Sequence, residues 1–192
     1  MSDSDIVKNQ DPAAQGHNVV LIGFMGCGKS AVGPLAARYL GFDFIDTDDL
    51  IVEQAGKSIP EIFEAEGEPG FRKRESAALN EAASQGGQVI ATGGGIVTVE
   101  RNLPLLMKAG FVVWLDASED TIWQRISRNT ERPMLYTENP RETVNTLLSK
   151  RKPLYEKASN LRIDSTDLSA EEVAYGVAES ARVFFGKQRA ET

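Results

Sequence analysis

Eight residues near the amino terminus limit what this chain can become more than any other stretch. GFMGCGKS (Gly23–Ser30) follows the apolar run NVVLIG (Asn18–Gly23) and precedes an amphipathic stretch, Lys29–Leu40, that Gly41 stops. A short run with almost no polar side chains suits a strand buried on both faces. The pattern G-x-x-x-x-G-K-[ST] between such a strand and a helix is a phosphate-binding loop. Gly23, Gly26 and Gly28 allow the tight turn through which successive N–H groups converge on phosphate oxygens. The following helix aims its positive end at the same place. Lys29 supplies a cation for the β and γ phosphates, and the Ser30 hydroxyl a ligand for Mg²⁺. A plain glycine turn is the competing reading, which the strand and helix on either side disfavour. Ala31 stands where many such loops carry a second hydroxyl. Its N–H remains available, while the side-chain contact to the α phosphate is lost. Cys27 reads as a small filler of the loop rather than as an activated thiol.

The rest of the chain alternates in the same way. Strands are expected at Phe42–Asp46, Gln88–Gly95, Phe111–Asp116 and Leu161–Asp164. Between them, helices are expected from Thr47 to Gly56, from Ser58 to Glu66, from Pro69 to about Gln85, and over Val99–Ala109, Glu119–Arg128, Pro140–Ala158 and Ala170–Gly186. Strands separated by helices pair in parallel through crossovers, which predicts an α/β three-layer sandwich with a five-stranded parallel sheet. With 192 residues the chain has room for one substantial core. We expect a flexible leader over 1–17, a single domain over 18–187 and a short tail over 188–192. The leader lacks the basic start and apolar block of a secretory signal. His17, the only histidine, sits at its edge with no expected role.

Charge and cysteine content exclude several classes. The net charge is −7, from 21 basic and 28 acidic residues, which disfavours nucleic-acid binding and a polybasic membrane anchor. The run Val19–Phe24 is too short to span a bilayer. One cysteine permits no internal disulfide, so a reducing, cytoplasmic setting is expected.

A phosphate loop alone does not separate a kinase from a switch or a motor. Asp46 and Asp48, two residues apart at the end of the second strand, lie on the edge where open α/β sheets bind ligands. Asp46 suits Mg²⁺ held through water, and Asp48 a substrate hydroxyl. The alternative is that both, with Asp49, only charge the first turn of a helix. GEPGFRKRES brings Phe71, Arg72 and Glu75. Gly93–Gly95 suit a place where backbone must approach a ligand closely. RKPLY brings Arg151, and the stretch Asn129–Asn139, too long for an idle loop, brings Arg132. Guanidinium forks hold a carboxylate in two places at once; a solvated helix face is the alternative for Arg72 and for Arg151 taken singly. Residues 125–152 carry seven basic and three acidic side chains, a local positive funnel or an ordinary mixed surface.

Taken in order, GFMGCGKS, DTDD, SIPEIFEAEGEPGFRKRE, GGG, ERP and RKPLY resemble the shikimate kinases, over about residues 18 to 187. The resemblance implies a P-loop fold of nucleoside monophosphate kinase type, with a substrate-binding segment over about 47–78 and a lid over about 129–139. It implies transfer of the ATP γ-phosphate to the 3-hydroxyl of shikimate, with Mg²⁺ as cofactor, by a monomer. Gly26, Cys27, Gly28, Lys29, Ser30 and Ala31 would wrap the ATP phosphates, with Ser30 and Asp46 at the metal. Asp48 would be the base, Arg72 and Arg151 the grip on the shikimate carboxylate, and Gly94, between Gly93 and Gly95, a backbone donor. Arg132 would close with the lid, Arg125 would lie against adenine, and Phe63 and Phe71 would line the substrate pocket. Met134 stands where the family more often has leucine, a swap of similar volume. The alternatives are another small-molecule kinase of this fold, for gluconate or adenylylsulfate, and a nucleotide-binding module without catalysis.

Overall fold

The computed structural model describes residues 17–127 and 137–190. Its strands are β1 (Val19–Ile22), β2 (Asp43–Asp46), β3 (Gln88–Ala91), β4 (Phe111–Asp116) and β5 (Leu161–Asp164). They form one parallel sheet in the order β2-β3-β1-β4-β5. Crossovers are made by α1 (Lys29–Leu40), α2 (Thr47–Ala55), α3 (Ile59–Ala82), α4 (Asn102–Ala109), α5 (Glu119–Ile126) and α6 (Pro140–Ala158), and α7 (Ala170–Ala190) ends the described chain. β1 lies in the middle, with Val19 in register with Val89 on one side and Phe111 on the other. All four of its residues are fully buried, as its unbroken apolar sequence requires.

The twofold period of the strand divides its side chains between two cores. Val19 and Leu21 pack with Leu40 of α1 and with Val177 and Phe185 of α7. Val20 and Ile22 pack with Leu79, Leu106, Leu148 and Tyr155, from α3, α4 and α6. A smaller cluster, Ile51, Ile62, Phe71 and Ala78, joins α2 to α3. From β1 the chain turns one way to β2 and β3 and later the other way to β4 and β5. The crevice at the carboxyl end of β1 is therefore a topological switch point, where ligands of such sheets bind.

The two helices expected on either side of residues 67 and 68 are both present, following closely on one another as α3 and separated, as expected, by a non-helical residue, Gly67, with φ +66° and ψ −179°. The start of α3 carries a capping box of Ser58 and Glu61, with the Ser58 N–H donating to Glu61 Oε2 at 2.8 Å. Several boundaries differ from expectation, each for a local reason. The third strand stops at Ala91 instead of running into the glycines. After them a 3₁₀ turn, Ile96–Thr98, intervenes. α4 then starts at Asn102 rather than Val99, and the buried Asn102 amide donates to Ile96 O at 2.9 Å. α5 ends at Ile126 and α7 continues past Gly186 to Ala190. His17 is not a free end: its ring stacks on Phe185 at 4.7 Å and its carbonyl accepts the Gly87 N–H at 2.8 Å. The leader up to residue 16, and residues 128–136 of the expected lid with Arg132, lie outside the described residues. No helix among those described is long and apolar enough to cross a membrane.

Candidate active site

The loop Gly23–Gly28 joins β1 to α1 at the switch point. Gly28 caps α1 in the left-handed region, φ +103°, where a side chain would be strained. Lys29 leads the helix and folds back, its Nζ donating to Gly23 O at 2.8 Å and Phe24 O at 3.0 Å. Cys27 is buried against this loop, 1 % exposed, in the filler role expected of it. The Ala31 N–H donates to Gly28 O at 3.0 Å. Arg125, on α5, reaches across to donate to Gly26 O at 3.1 Å and to Ser165 O at 3.2 Å. It thereby ties the loop to the segment after β5.

Asp46 ends β2 and does two things at once. Its Oδ1 accepts the Asp48 N–H at 3.0 Å, which makes Asp46 the cap of α2. Its Oδ2 accepts the Ser30 hydroxyl at 3.1 Å. A carboxylate and a hydroxyl thus meet beside the phosphate loop. Thr47, fully buried, accepts the Gly93 N–H on its hydroxyl at 3.3 Å.

Asp48, in the first turn of α2, is mostly buried, and its Oδ1 has no hydrogen-bond partner. Burial, then the neighbouring Asp46 and Glu75 carboxylates, push its pKa up to about 6, with Lys29 opposing. A buried carboxyl with an unused oxygen and a pKa near neutrality is poised to take a proton.

The glycine triplet explains how the remaining groups fit together. A Cβ on Gly93 would lie 2.4 Å from Glu75 Oε1 and 2.9 Å from Asp48 Oδ1. One on Gly94 would crowd Met25 N and Gly23 O of the phosphate loop, at 3.3 and 3.4 Å. One on Gly95 would overlap the Arg72 guanidinium, 2.1 Å from Nη1. Each missing side chain therefore makes room for a different part of the site. That is a more specific need than the close backbone approach expected from sequence.

Arg72 lies on α3 with its side chain 15 % exposed. Its Nε and Nη2 donate to Glu68 Oε1 at 3.2 and 2.8 Å, and Nη1 to Glu75 Oε2 at 2.5 Å. These bonds use three of its five N–H groups, so one on each terminal nitrogen lies outside them. Arg151, on α6 and 9 % exposed, donates to Gly94 O at 3.2 Å, its guanidinium 5.5 Å from the Phe24 ring centre. Glu75 is 1 % exposed and feels both cations: burial pushes its carboxyl up, and Arg72 and Arg151 oppose that. The 2.5 Å contact with a guanidinium, itself held more firmly protonated by Glu75 and Glu68 against its own desolvation, argues for an ionised pair. Phe71, buried, and Phe63, 38 % exposed, pair at 4.5 Å beside this cluster.

A family model described as shikimate kinase matches residues 25–182. The chain belongs to the shikimate kinase family. The shikimate kinase of Thermodesulfovibrio yellowstonii is 48 % identical over 157 residues, 82 % of this chain and 90 % of that one. That of Actinobacillus pleuropneumoniae serotype 5b is 43 % identical over 166 residues, 86 % and 96 % of the two chains. A solved structure of shikimate kinase from Acinetobacter baumannii in complex with shikimate superposes with a TM-score of 0.82 at 40 % identity, covering 85 % of this chain and 92 % of its own. A gluconokinase from Sinorhizobium meliloti, at TM-score 0.61 and 21 % identity, shares the fold alone. The protein is thus a kinase of the P-loop, nucleoside monophosphate kinase-like fold, in a family that uses ATP as co-substrate.

The site contains two groups that motif reading did not assign. Glu75 stands three residues from Arg72, the spacing of neighbours on one helix face. Tyr155 stands four residues from Arg151 by the same rule, and its hydroxyl donates to Gly94 O at 2.5 Å. The signal was present in both spacings, but a carbonyl partner 61 residues away is invisible without the fold.

Proposed function

We propose that this shikimate kinase moves the γ-phosphoryl group of ATP onto the 3-hydroxyl of shikimate with the residues assembled around the glycine triplet. The observation that carries the assignment is the convergence of Arg72 and Arg151 on Gly93–Gly95, with Asp48 beside Gly93 and the phosphate loop against Gly94. The triplet thus separates an anion grip from a proton acceptor by a few residues of backbone, the layout a small hydroxy acid needs.

In this reading Gly26–Ala31 hold the ATP phosphates and Lys29 supplies their fixed cation. Arg72 and Arg151 take the shikimate carboxylate, which aims the ring, with Gly94 as backbone contact and Phe63 and Phe71 along its apolar side. Asp48 accepts the proton of the attacking hydroxyl, and the oxygen displaces ADP in line, with no phosphoenzyme. Ser30 Oγ and Asp46 Oδ2 fit Mg²⁺: both are hard oxygens, they lie together, and this ion prefers few protein ligands plus phosphate and water oxygens. When bound, it neutralises charge on the phosphates. Arg125 lies near adenine, held by Gly26 and Ser165. Arg132 and the lid, outside the described residues, complete the charge clamp and exclude water. The reading takes the enzyme to act as a monomer in a cytoplasmic setting, the latter supported by the single cysteine.

A steady-state assay of ADP release with ATP, Mg²⁺ and either shikimate or gluconate tests this. Turnover with shikimate and none with gluconate is expected; the reverse would overturn the acceptor.

A further inference from the structure

Among the described residues Tyr155 is the largest fully buried side chain, with no exposed surface. Its ring stacks on Trp114 of β4, 5.9 Å between centres and 27° from parallel, so the phenol oxygen is fixed in place by two elements of the core. That oxygen lies where three parts of the site meet. It donates to Gly94 O at 2.5 Å, the same carbonyl that receives Arg151 Nη1 at 3.2 Å. Burial raises the phenol's pKa above its ordinary range, so it stays protonated and remains a donor at any working pH.

A buried tyrosine needs a partner for its hydroxyl, and many backbone carbonyls would serve. Here the partner is the central residue of the triplet. Gly94 has no Cβ to restrain it, and its backbone touches the phosphate loop. One carbonyl that accepts from both Tyr155 and Arg151 locks three things together: the peptide plane of Gly94, the head of Arg151 and the core beneath them. We propose that Tyr155 is a positioning residue for carboxylate recognition, holding Gly94 and the Arg151 guanidinium in the geometry that grips the substrate anion. It touches no reacting atom. The inference rests on the assignment of Arg151 to the shikimate carboxylate.

The test is Tyr155→Phe, which removes one oxygen and keeps the ring on Trp114. The loss of one hydrogen bond to the clamp should raise the KM for shikimate about tenfold, with the KM for ATP within twofold of the parent and kcat falling less than the KM rises. A KM for shikimate within twofold of the parent overturns the inference. So does an equal rise in both KM values, which a general loosening of the fold would give. Arg151→Lys and the double variant are measured alongside. Because the phenol acts through the Arg151 head, the two effects on KM should overlap; full multiplication would contradict that coupling. If Arg151→Lys alone leaves the KM for shikimate unchanged, the carboxylate assignment itself falls, whatever Tyr155→Phe shows. The melting temperature of each variant is recorded, so that a variant that fails to fold is recognised. Tyr155→Met, smaller, adaptable in a core and without a donor, then replaces Tyr155→Phe, with the same criterion on the two KM values.

Discussion

The two halves of the site are built by different means. The phosphate side is eight consecutive residues, and its groups are backbone amides, a glycine in the left-handed region and one helix start. The acceptor side draws on α2, α3, the triplet and α6, and its groups are ionisable side chains, with Glu75 and Arg151 buried and Asp48 and Arg72 half-buried. Backbone sites can be written in a short string because the chain carries its own donors wherever it turns. A side-chain site has to be brought together by the fold, and its charges must be balanced where they are buried. Buried Glu75 between Arg72 and Arg151 is that balance, with exposed Glu68 a second partner of Arg72 at the rim. Asp48 stands between the halves, raised by Asp46 and Glu75 and lowered by Lys29.

This contrast can be broken by substitution. The largest effect should come from Asp48→Asn, with kcat falling by about 10²–10⁴ and ATP affinity, read by equilibrium titration, little changed. Equal loss of both would place Asp48 on the phosphate side instead. The same substitution should stabilise the fold. A carboxyl whose pKa rises from 3.8 to about 6 on folding contributes stability that is whole below the lower value and is lost as pH rises through the higher one. Asp48→Asn and its parent should therefore have similar denaturation midpoints near pH 4. Above pH 6 the variant should be the more stable by roughly 2–3 kcal/mol, about 1.4 kcal/mol for each unit of the rise. Next in size, Arg72→Ala and Arg151→Ala should each raise the KM for shikimate by roughly 10–100-fold, the loss of a charged hydrogen bond, with little change in the KM for ATP.

Gly95→Ala would put a methyl into the Arg72 guanidinium, and it should mimic Arg72→Ala more closely than it mimics a phosphate-loop variant. The pH profile should be milder still. With Asp48 as the proton acceptor, kcat/KM for shikimate should fall tenfold per unit below about pH 6, and a flat profile to pH 5 would remove Asp48 from that role. Smallest is Glu68→Gln. Glu68 is 66 % exposed and pairs with Arg72 in the i,i+4 spacing, so its loss should change KM by less than about threefold.

The same contrast decides what could be read before the fold was seen. The sheet was legible because its strands are short apolar runs punctuated by glycine, and the phosphate loop because its groups are contiguous. The roles of Asp48, Arg72 and Arg151 came from an ordered set of motifs; spacing alone left each with a plain surface reading. Glu75 and Tyr155 were out of reach, since what they do depends on Gly93 and Gly94 lying beside them in space. The break at Gly67 was legible from the glycine and proline that punctuate it, whereas the 3₁₀ turn after the triplet was hidden. Propensity sees a helix from Val99, but the bonds of the Asn102 side chain set the actual boundary.

The central claim is that two guanidiniums recognise the carboxylate of the acceptor. The most direct test compares kcat/KM for shikimate with kcat/KM for its carboxamide, in the parent and in Arg151→Ala. The parent should prefer the carboxylate by about 100-fold or more, and the variant should lose most of that preference, chiefly through poorer use of shikimate. A parent that uses both equally well, or a variant that keeps the full preference, would contradict it.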